Sequence, residues 1–249
     1  GLPGGNRGSN GSFDDVGNYG YWWSSSQYNA SYSWPRFLNS FIDYVYRGAY
    51  NKEDGFSVRC LRYNDGTHTT SQVRLENGET PLDIYQSGVP IDSIIGKTYQ
   101  GGIIAYLDTL DGTGLIAAPT EGYAEWGCYG TLISGADGTA IGTGSQNTAD
   151  ILAGCSETNI AAYLCDTLTL GGYNDWFLPS KDELNKLYQN IGQGNALGLG
   201  NVGGFTWFSY WSSTEVGSGN AWLQNFYNGN QDYYHKDLYN DVVRAVRAF

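Results

Sequence analysis

Asp175-Trp176-Phe177-Leu178-Pro179-Ser180-Lys181-Asp182-Glu183-Leu184 decides how this chain is read. Ser180 and Glu183 stand three apart, as a capping box requires. The serine oxygen takes the Glu183 amide, and the glutamate reaches back to the Ser180 amide. Leu184, Leu187, Tyr188 and Ile191 then fall at i, i+3, i+4 and i+7, the spacing of one helix face. Upstream, Ser156 is placed to cap an earlier helix with the stripe Ile160, Leu164 and Leu168, and Ala161 and Cys165 beside it. Residues 127–154 read as a long loop of Gly, Thr and Ser. Further out, 101–107 and 114–118 read as two strands, joined by a hairpin turn at 108–113 that contains Asp111-Gly112. Downstream, 205–212, 221–227 and 241–249 read as strands. A hairpin, two helices and then antiparallel strands make an α+β domain over 96–249.

Part of this domain occurs twice. Tyr21-Trp22-Trp23-Ser24-Ser25-Ser26 matches Tyr210-Trp211-Ser212-Ser213-Thr214. Trp34 and Phe37-Leu38-Asn39-Ser40-Phe41 match Trp222 and Leu223-Gln224-Asn225-Phe226. Val58-Arg59-Cys60-Leu61-Arg62 matches Val243-Arg244-Ala245-Val246-Arg247. Features matched in one order indicate an internal repeat. Residues 1–63 are expected to be the C-terminal half of a lone first copy. Residues 64–95 are expected to be a linker with one short helix, capped by Thr80, with Pro81 at its first position and Gly88 at its end.

Composition narrows the function. Thirteen basic against 25 acidic residues give a net charge of −12, the wrong sign for binding phosphate backbones. Aromatic residues make up 15%, with 21 Tyr and 8 Trp, which sets the chain apart from disordered sequences. No apolar stretch approaches the roughly 18–20 residues of a membrane span. The chain starts at Gly1 and has no Met, so it is expected to be a processed piece of a longer product. The four cysteines, Cys60, Cys128, Cys155 and Cys165, form no C-x-x-C pair. They read either as disulfides of an exported protein or as buried thiols. A Cys128–Cys155 bridge would staple the long loop, and Cys165 on its helical stripe suits a buried thiol. The partner of Cys60 is expected upstream of Gly1.

Several motifs carry a family resemblance. The Trp176-to-Glu183 segment resembles the signature that opens the second helix in one branch of C-type-lectin-like folds, the branch of the sulfatase-modifying factors. Gly96-Lys97-Thr98-Tyr99-Gln100-Gly101-Gly102, Trp126-Gly127-Cys128, Tyr210-Trp211-Ser212-Ser213 and the terminal Val243-Arg244-Ala245-Val246-Arg247 make 96–249 resemble the Lcl C-terminal-like domain. The first piece resembles the C-terminal half of a Fibrobacter-type major paralogous domain. The resemblance implies a C-type-lectin-like α+β fold, with two helices, short antiparallel sheets and long loops. It also implies a secreted or surface-anchored bacterial module that binds rather than catalyses. Some relatives are variable proteins of diversity-generating retroelements. The Tyr/Asn-rich segments 225–240 and 28–50 have that character, but the plainer reading, a surface loop with no such history, is preferred.

Enzymatic motifs fail one by one. Gly198-x-Gly200-x-x-Gly203 follows a helix and precedes a strand-like run, the reverse of a dinucleotide site. No Pro stands in a calcium-lectin tripeptide. Nothing after Cys165 can serve as the paired cysteines of a formylglycine-generating enzyme, and Ala245 stands where the first copy has Cys60. The two histidines, His68 and His235, are far apart and carry no triad motif. No spacing singles out two carboxylates as a glycosidase pair.

The expectation is therefore a non-enzymatic extracellular adhesion or ligand-binding module. Its contact residues are expected to be Trp222, Asn225, Tyr227, Asn230, Asp232, Tyr233, Tyr234 and Tyr239, with Tyr28, Trp34 and Tyr44 in the first copy. Tyr and Trp give large rigid contact area, and Asn gives adaptable hydrogen bonds. Trp211 and the recurring arginines are assigned to the scaffold. The partner is expected to be a protein or glycan, with no nucleic acid and no membrane span. No cofactor is expected, although acidic loops are compatible with a structural calcium ion. The alternatives are a structural subunit of a surface fibre or sheath and, more weakly, a carbohydrate-active enzyme.

Overall fold

A computed structural model describes residues 4–39, 45–58, 70–237 and 241–249. The chain divides into two units, Gly1–Thr67 and His68–Phe249, and mixes helices with antiparallel sheets in an α+β arrangement.

The first unit holds β1 (Asn6–Arg7), β2 (Phe13–Asp14), β3 (Tyr19–Gln27), β4 (Tyr32–Asn39), β5 (Tyr46–Arg47) and β6 (Tyr50–Asn51). Alternation along β3 and β4 puts aromatic residues on one face, where cross-strand pairs stabilise a sheet. Tyr21 packs on Phe37 and Phe56 at ring centroids of 5.4 and 4.9 Å, and Phe37 stacks on Tyr46 at 5.1 Å. Tyr21 is buried and donates its hydroxyl to Asp15 at 3.0 Å. The described residues of this unit contain no helix.

The second unit starts with two short helices, α1 (Ser71–Glu76) and α2 (Pro81–Gln86). Thr80 and Asp83 form the capping box of α2, with Pro81 in its first turn. Leu75, Ile84, Ile94 and Ile95 are buried in the core of this unit. From residue 70 onward, the stretch expected as a linker is thus part of the core. The signal was weak because each helix has six residues and buries one or two apolar side chains.

Then follow β7 (Thr98–Tyr99), β8 (Gly102–Leu107), β9 (Gly114–Ala117), β10 (Gly122–Tyr123), α3 (Gly144–Gly154), α4 (Ala161–Asp166) and α5 (Lys181–Ile191). The chain closes with β11 (Ser209–Gly217), β12 (Asn220–Asn225), β13 (Gln231–His235), β14 (Val242–Val243) and β15 (Val246–Ala248). One sheet runs β10-β14-β11-β12-β13, the other β15-β9-β8-β7. The terminal segment, expected as one strand, serves both sheets. Val242 and Val243 pair with β10 in the first sheet, while Val246 and Ala248 pair with β9 in the second. Among the described residues, no helix is long and apolar enough to cross a membrane.

α5 begins at the Ser180/Glu183 capping box and buries Leu184, Leu187 and Ile191. The other helices depart from expectation. α4 starts at Ala161 with Ile160 as its cap, and Ser156 is exposed and caps nothing. Cys155 is extended and Asn159 has φ +62°, so the chain turns before the helix starts. α3 lies inside the expected long loop. Its buried face is largely polar, so no apolar stripe announced it. Asn147 donates to Gly138 O at 2.7 Å and to Ser213 Oγ at 3.2 Å. Thr148 Oγ1 donates to Gly144 O at 2.8 Å and accepts the Leu178 amide at 3.0 Å.

The sequence repeat is a structural repeat. β3–β4 pairs Trp23 with Pro35 and Gln27 with Ser33; β11–β12 pairs Trp211 with Leu223 and Glu215 with Ala221, at one constant offset in numbering. Both hairpins carry an irregularity between these pairs. Ser24 Oγ donates to Trp34 O, and Ser212 Oγ donates to Trp222 O. The third strands correspond through Ser33 opposite Tyr50 and Ala221 opposite Tyr234. The parallel contacts of Trp22 with Ser57 and Tyr210 with Val242 correspond as well.

Candidate functional site

The Tyr/Asn-rich segment expected as a surface loop contains β13, the edge strand of its sheet. Tyr233 and Tyr234 favour extended backbone, and β12 supplies the partner strand. Asp232, Tyr233, Tyr234 and His235 are all exposed. Alternation sends them to opposite faces. Tyr233 lies opposite Trp222, with ring centroids 5.6 Å apart at 83°. Lys181 sets its Nζ 3.5 Å from the centre of the Trp222 ring. Gln231 Nε2 donates to Lys181 O at 2.9 Å, tying β13 to the start of α5. Asp232 and Tyr234 lie opposite Leu223 and Ala221, on the other face.

The asparagines shape the turn between β12 and β13. Asn225 Oδ1 accepts the Tyr227 amide at 2.9 Å and the Asn228 amide at 3.2 Å, and Asn228 Oδ1 accepts the Asn230 amide at 3.0 Å. The Asn230 carbonyl accepts the Asn225 amide at 2.9 Å. This turn presents Tyr227, which is 70% exposed. Beside it stands Trp207, with ring centroids 6.2 Å apart. Trp207 and Phe208 are 69% and 60% exposed.

Sequence reasoning assigned Trp207 and Phe208 to a strand, but β11 starts only at Ser209. The available signal was the lack of alternation in Phe205-Thr206-Trp207-Phe208 after a double glycine. Phe205 is buried against Tyr210 and Phe226, which leaves the next two aromatics outside. In the first unit, Tyr28 meets Trp34 edge-on at 4.9 Å, and Arg47 lies 4.1 Å over the Trp34 ring. Tyr44 and Tyr239 lie outside the described residues, as do Cys60 and His68.

Beneath β13, two anchors hold the platform. Lys236 and Glu215 form a fully buried ion pair. Lys236 Nζ also donates to Thr131 O at 2.8 Å and sits 4.5 Å from the Trp126 ring centre. Glu215 accepts the Ile133 amide at 2.9 and 3.1 Å. The second anchor is the disulfide Cys128–Cys155. It closes the loop that runs beside the end of β13, where Tyr129 faces His235 at 5.5 Å. Gly127 has φ +102°, and a Cβ there would fall 2.4 Å from Ile160, so only glycine fits. Glu157 stands beside the disulfide and accepts the Cys128 amide at 2.8 Å. The two sulfurs are bonded to each other, so this group offers no thiolate to a metal. Cys165 is a buried free thiol, and burial pushes its pKa up.

Of the recurring residues, Trp211 and Arg244 of the second copy are interior. Trp211 is fully buried and donates Nε1 to Ala124 O at 3.1 Å. Arg244 donates to Ala118 O at 2.6 Å and pairs with Glu121 at 2.5 Å. Glu121 also accepts the Tyr210 hydroxyl. Burial, with this bond second, pushes the phenol pKa far above its ordinary value and keeps Tyr210 neutral.

Residues 134–247 match the family model of the Lcl C-terminal domain. This segment is Lcl C-terminal-like. The Lcl C-terminal match takes in α3, α4, α5 and β11–β14, and with them most of the platform described above. The β8–β9 hairpin lies outside it. No curated protein matches the chain.

Proposed function

We propose that this chain is an extracellular, non-enzymatic module that binds a protein or glycan through β13 and the aromatic side chains around it. The observation that carries the reading is the run of exposed side chains Asp232, Tyr233, Tyr234 and His235 on an edge strand, with the fully buried Lys236 directly after it. An edge strand offers unpaired backbone groups as well as side chains. A rigid base lowers the entropy lost on binding, and Tyr loses little of its own. The Lcl C-terminal match supports a surface module, and the disulfide suits an oxidising compartment. We read the scaffold as C-type-lectin-like, of the sulfatase-modifying-factor-like branch, and segment 225–240 as a position where family diversification would act.

The test is a protein and glycan array probed with the chain and with a variant in which Asn230, Asp232, Tyr233 and Tyr234 are Ala. The variant is expected to lose its strongest ligand. Retention of full affinity would move the site elsewhere. The same edge also favours a second reading, a subunit of a surface fibre that pairs edge to edge. Molar mass at dilute concentration separates the two: a monomer supports ligand binding, and growing assemblies support the fibre.

A further inference from the structure

The structural repeat shows what a β-hairpin of this kind has laid against it. In the second unit, α5 lies along β12. Lys181 covers Trp222, Asn185 meets Gln224 at 2.9 Å, and Tyr188 packs on Phe226 at 5.4 Å. Steps of four and three along a helix advance about 6 and 4.5 Å, close enough to two strand residues to keep this register. Gln224 and Phe226 are fully buried beneath α5.

The counterparts of Trp222, Gln224 and Phe226 in the first unit are Trp34, Arg36 and Leu38. No helix covers them among the described residues of that unit. Leu38 is 43% exposed, and the neighbouring Val45 is 56% exposed. The Trp22 indole reaches over Gly20 on the same face, where a Cβ would fall 2.4 Å from the ring. The face differs from its counterpart in charge. Arg36 is exposed opposite Arg47, which lies over Trp34, and neither arginine has a carboxylate partner among the described residues.

We infer that this face of the first unit docks an acidic amphipathic helix from another module, laid along β4 as α5 lies along β12. The register fixes its chemistry. A carboxylate at position i meets Arg47 and the Trp34 edge, a carboxylate at i+4 meets Arg36, and a large apolar residue at i+7 covers Leu38. Two copies of the face do not suit each other, because each would bring two arginines against two more. The surface belongs to the first unit and β13 to the second.

The probe is a hydrocarbon-stapled, fluorescein-labelled peptide of residues 180–192 carrying Lys181→Glu and Asn185→Glu. It is titrated onto the full chain by fluorescence anisotropy. Saturable, salt-sensitive binding is expected, and the peptide without the two glutamates should bind at least about tenfold more weakly. Arg36→Glu and Leu38→Asp, both at exposed positions, should each weaken binding by a similar factor. A peptide with Lys in place of the second glutamate should restore binding to the Arg36→Glu chain. No saturable binding of the double-glutamate peptide would overturn the inference. So would binding that Arg36→Glu and Leu38→Asp leave unchanged, or a dimer of the chain that Leu38→Asp dissolves.

Discussion

Lys236 and Glu215 are the most deeply buried ion pair among the described residues. Each ion has left water, and their attraction with the bonds to Thr131 and Ile133 offsets the loss. Removing one partner leaves the other charged and buried. Lys236→Met should therefore cost about 3–5 kcal/mol in urea unfolding. Adding Glu215→Gln should recover most of that, because the amide still accepts from Ile133 and can donate to Thr131. A double variant as unstable as the single one would show that the pair acts through something other than its charge. Asp241 works in the opposite sense. Burial raises its pKa from 3.8 to about 6, and Oδ2 has no hydrogen-bond partner. The folded chain holds this proton more tightly than the unfolded one. Stability contributed here is full below about pH 4 and is lost as pH rises through about 6. Asp241→Asn should remove that decline and add about 1 kcal/mol at neutral pH, allowing for solvent screening. Unfolding curves at acidic and neutral pH check it; equal stability of both proteins at neutral pH would contradict it.

At the scale of elements, legibility followed the kind of surface each element buries. α5 was readable because its cap and stripe are local and apolar. The β8–β9 hairpin was readable because its turn is local. α3 was not, because Asn147 and Thr148 face the interior through hydrogen bonds that a sequence does not display. β13 was hidden for a related reason. An exposed edge strand has no buried face to impose alternation, so Asp232-Tyr233-Tyr234-His235 reads like a loop. Of the site, the aromatic identities were legible and their grouping was not. Pairing puts Trp222 with Tyr233 and sends Tyr234 to the other face. The Asn225 side chain, read as a contact, spends its oxygen on the turn that presents Tyr227, and Asn228 does the same. Trp207 joined the site because Phe205 took the interior position.

Across the whole molecule, the two copies of the hairpin share a register but not a core. In the second unit, Trp211, Leu223 and Phe226 are buried among helices and a second sheet. In the first, Tyr21 is the one buried side chain of its aromatic cluster among the described residues, and Phe37, Tyr50 and Phe56 remain partly open. Stability scales with apolar area removed from water, at about 25 cal/mol per Å², so the same hairpin is held far less firmly in the first unit. Calorimetry should therefore resolve two transitions, the lower from the first unit. Tyr21→Ala should lower only the first transition, and Trp211→Ala only the second. The aromatic burial gives each an expected cost of about 3–5 kcal/mol at a closed site such as Trp211, and less at Tyr21. A single transition shifted equally by both substitutions would mean that the units unfold as one, and that the first draws its stability from outside its own aromatic face.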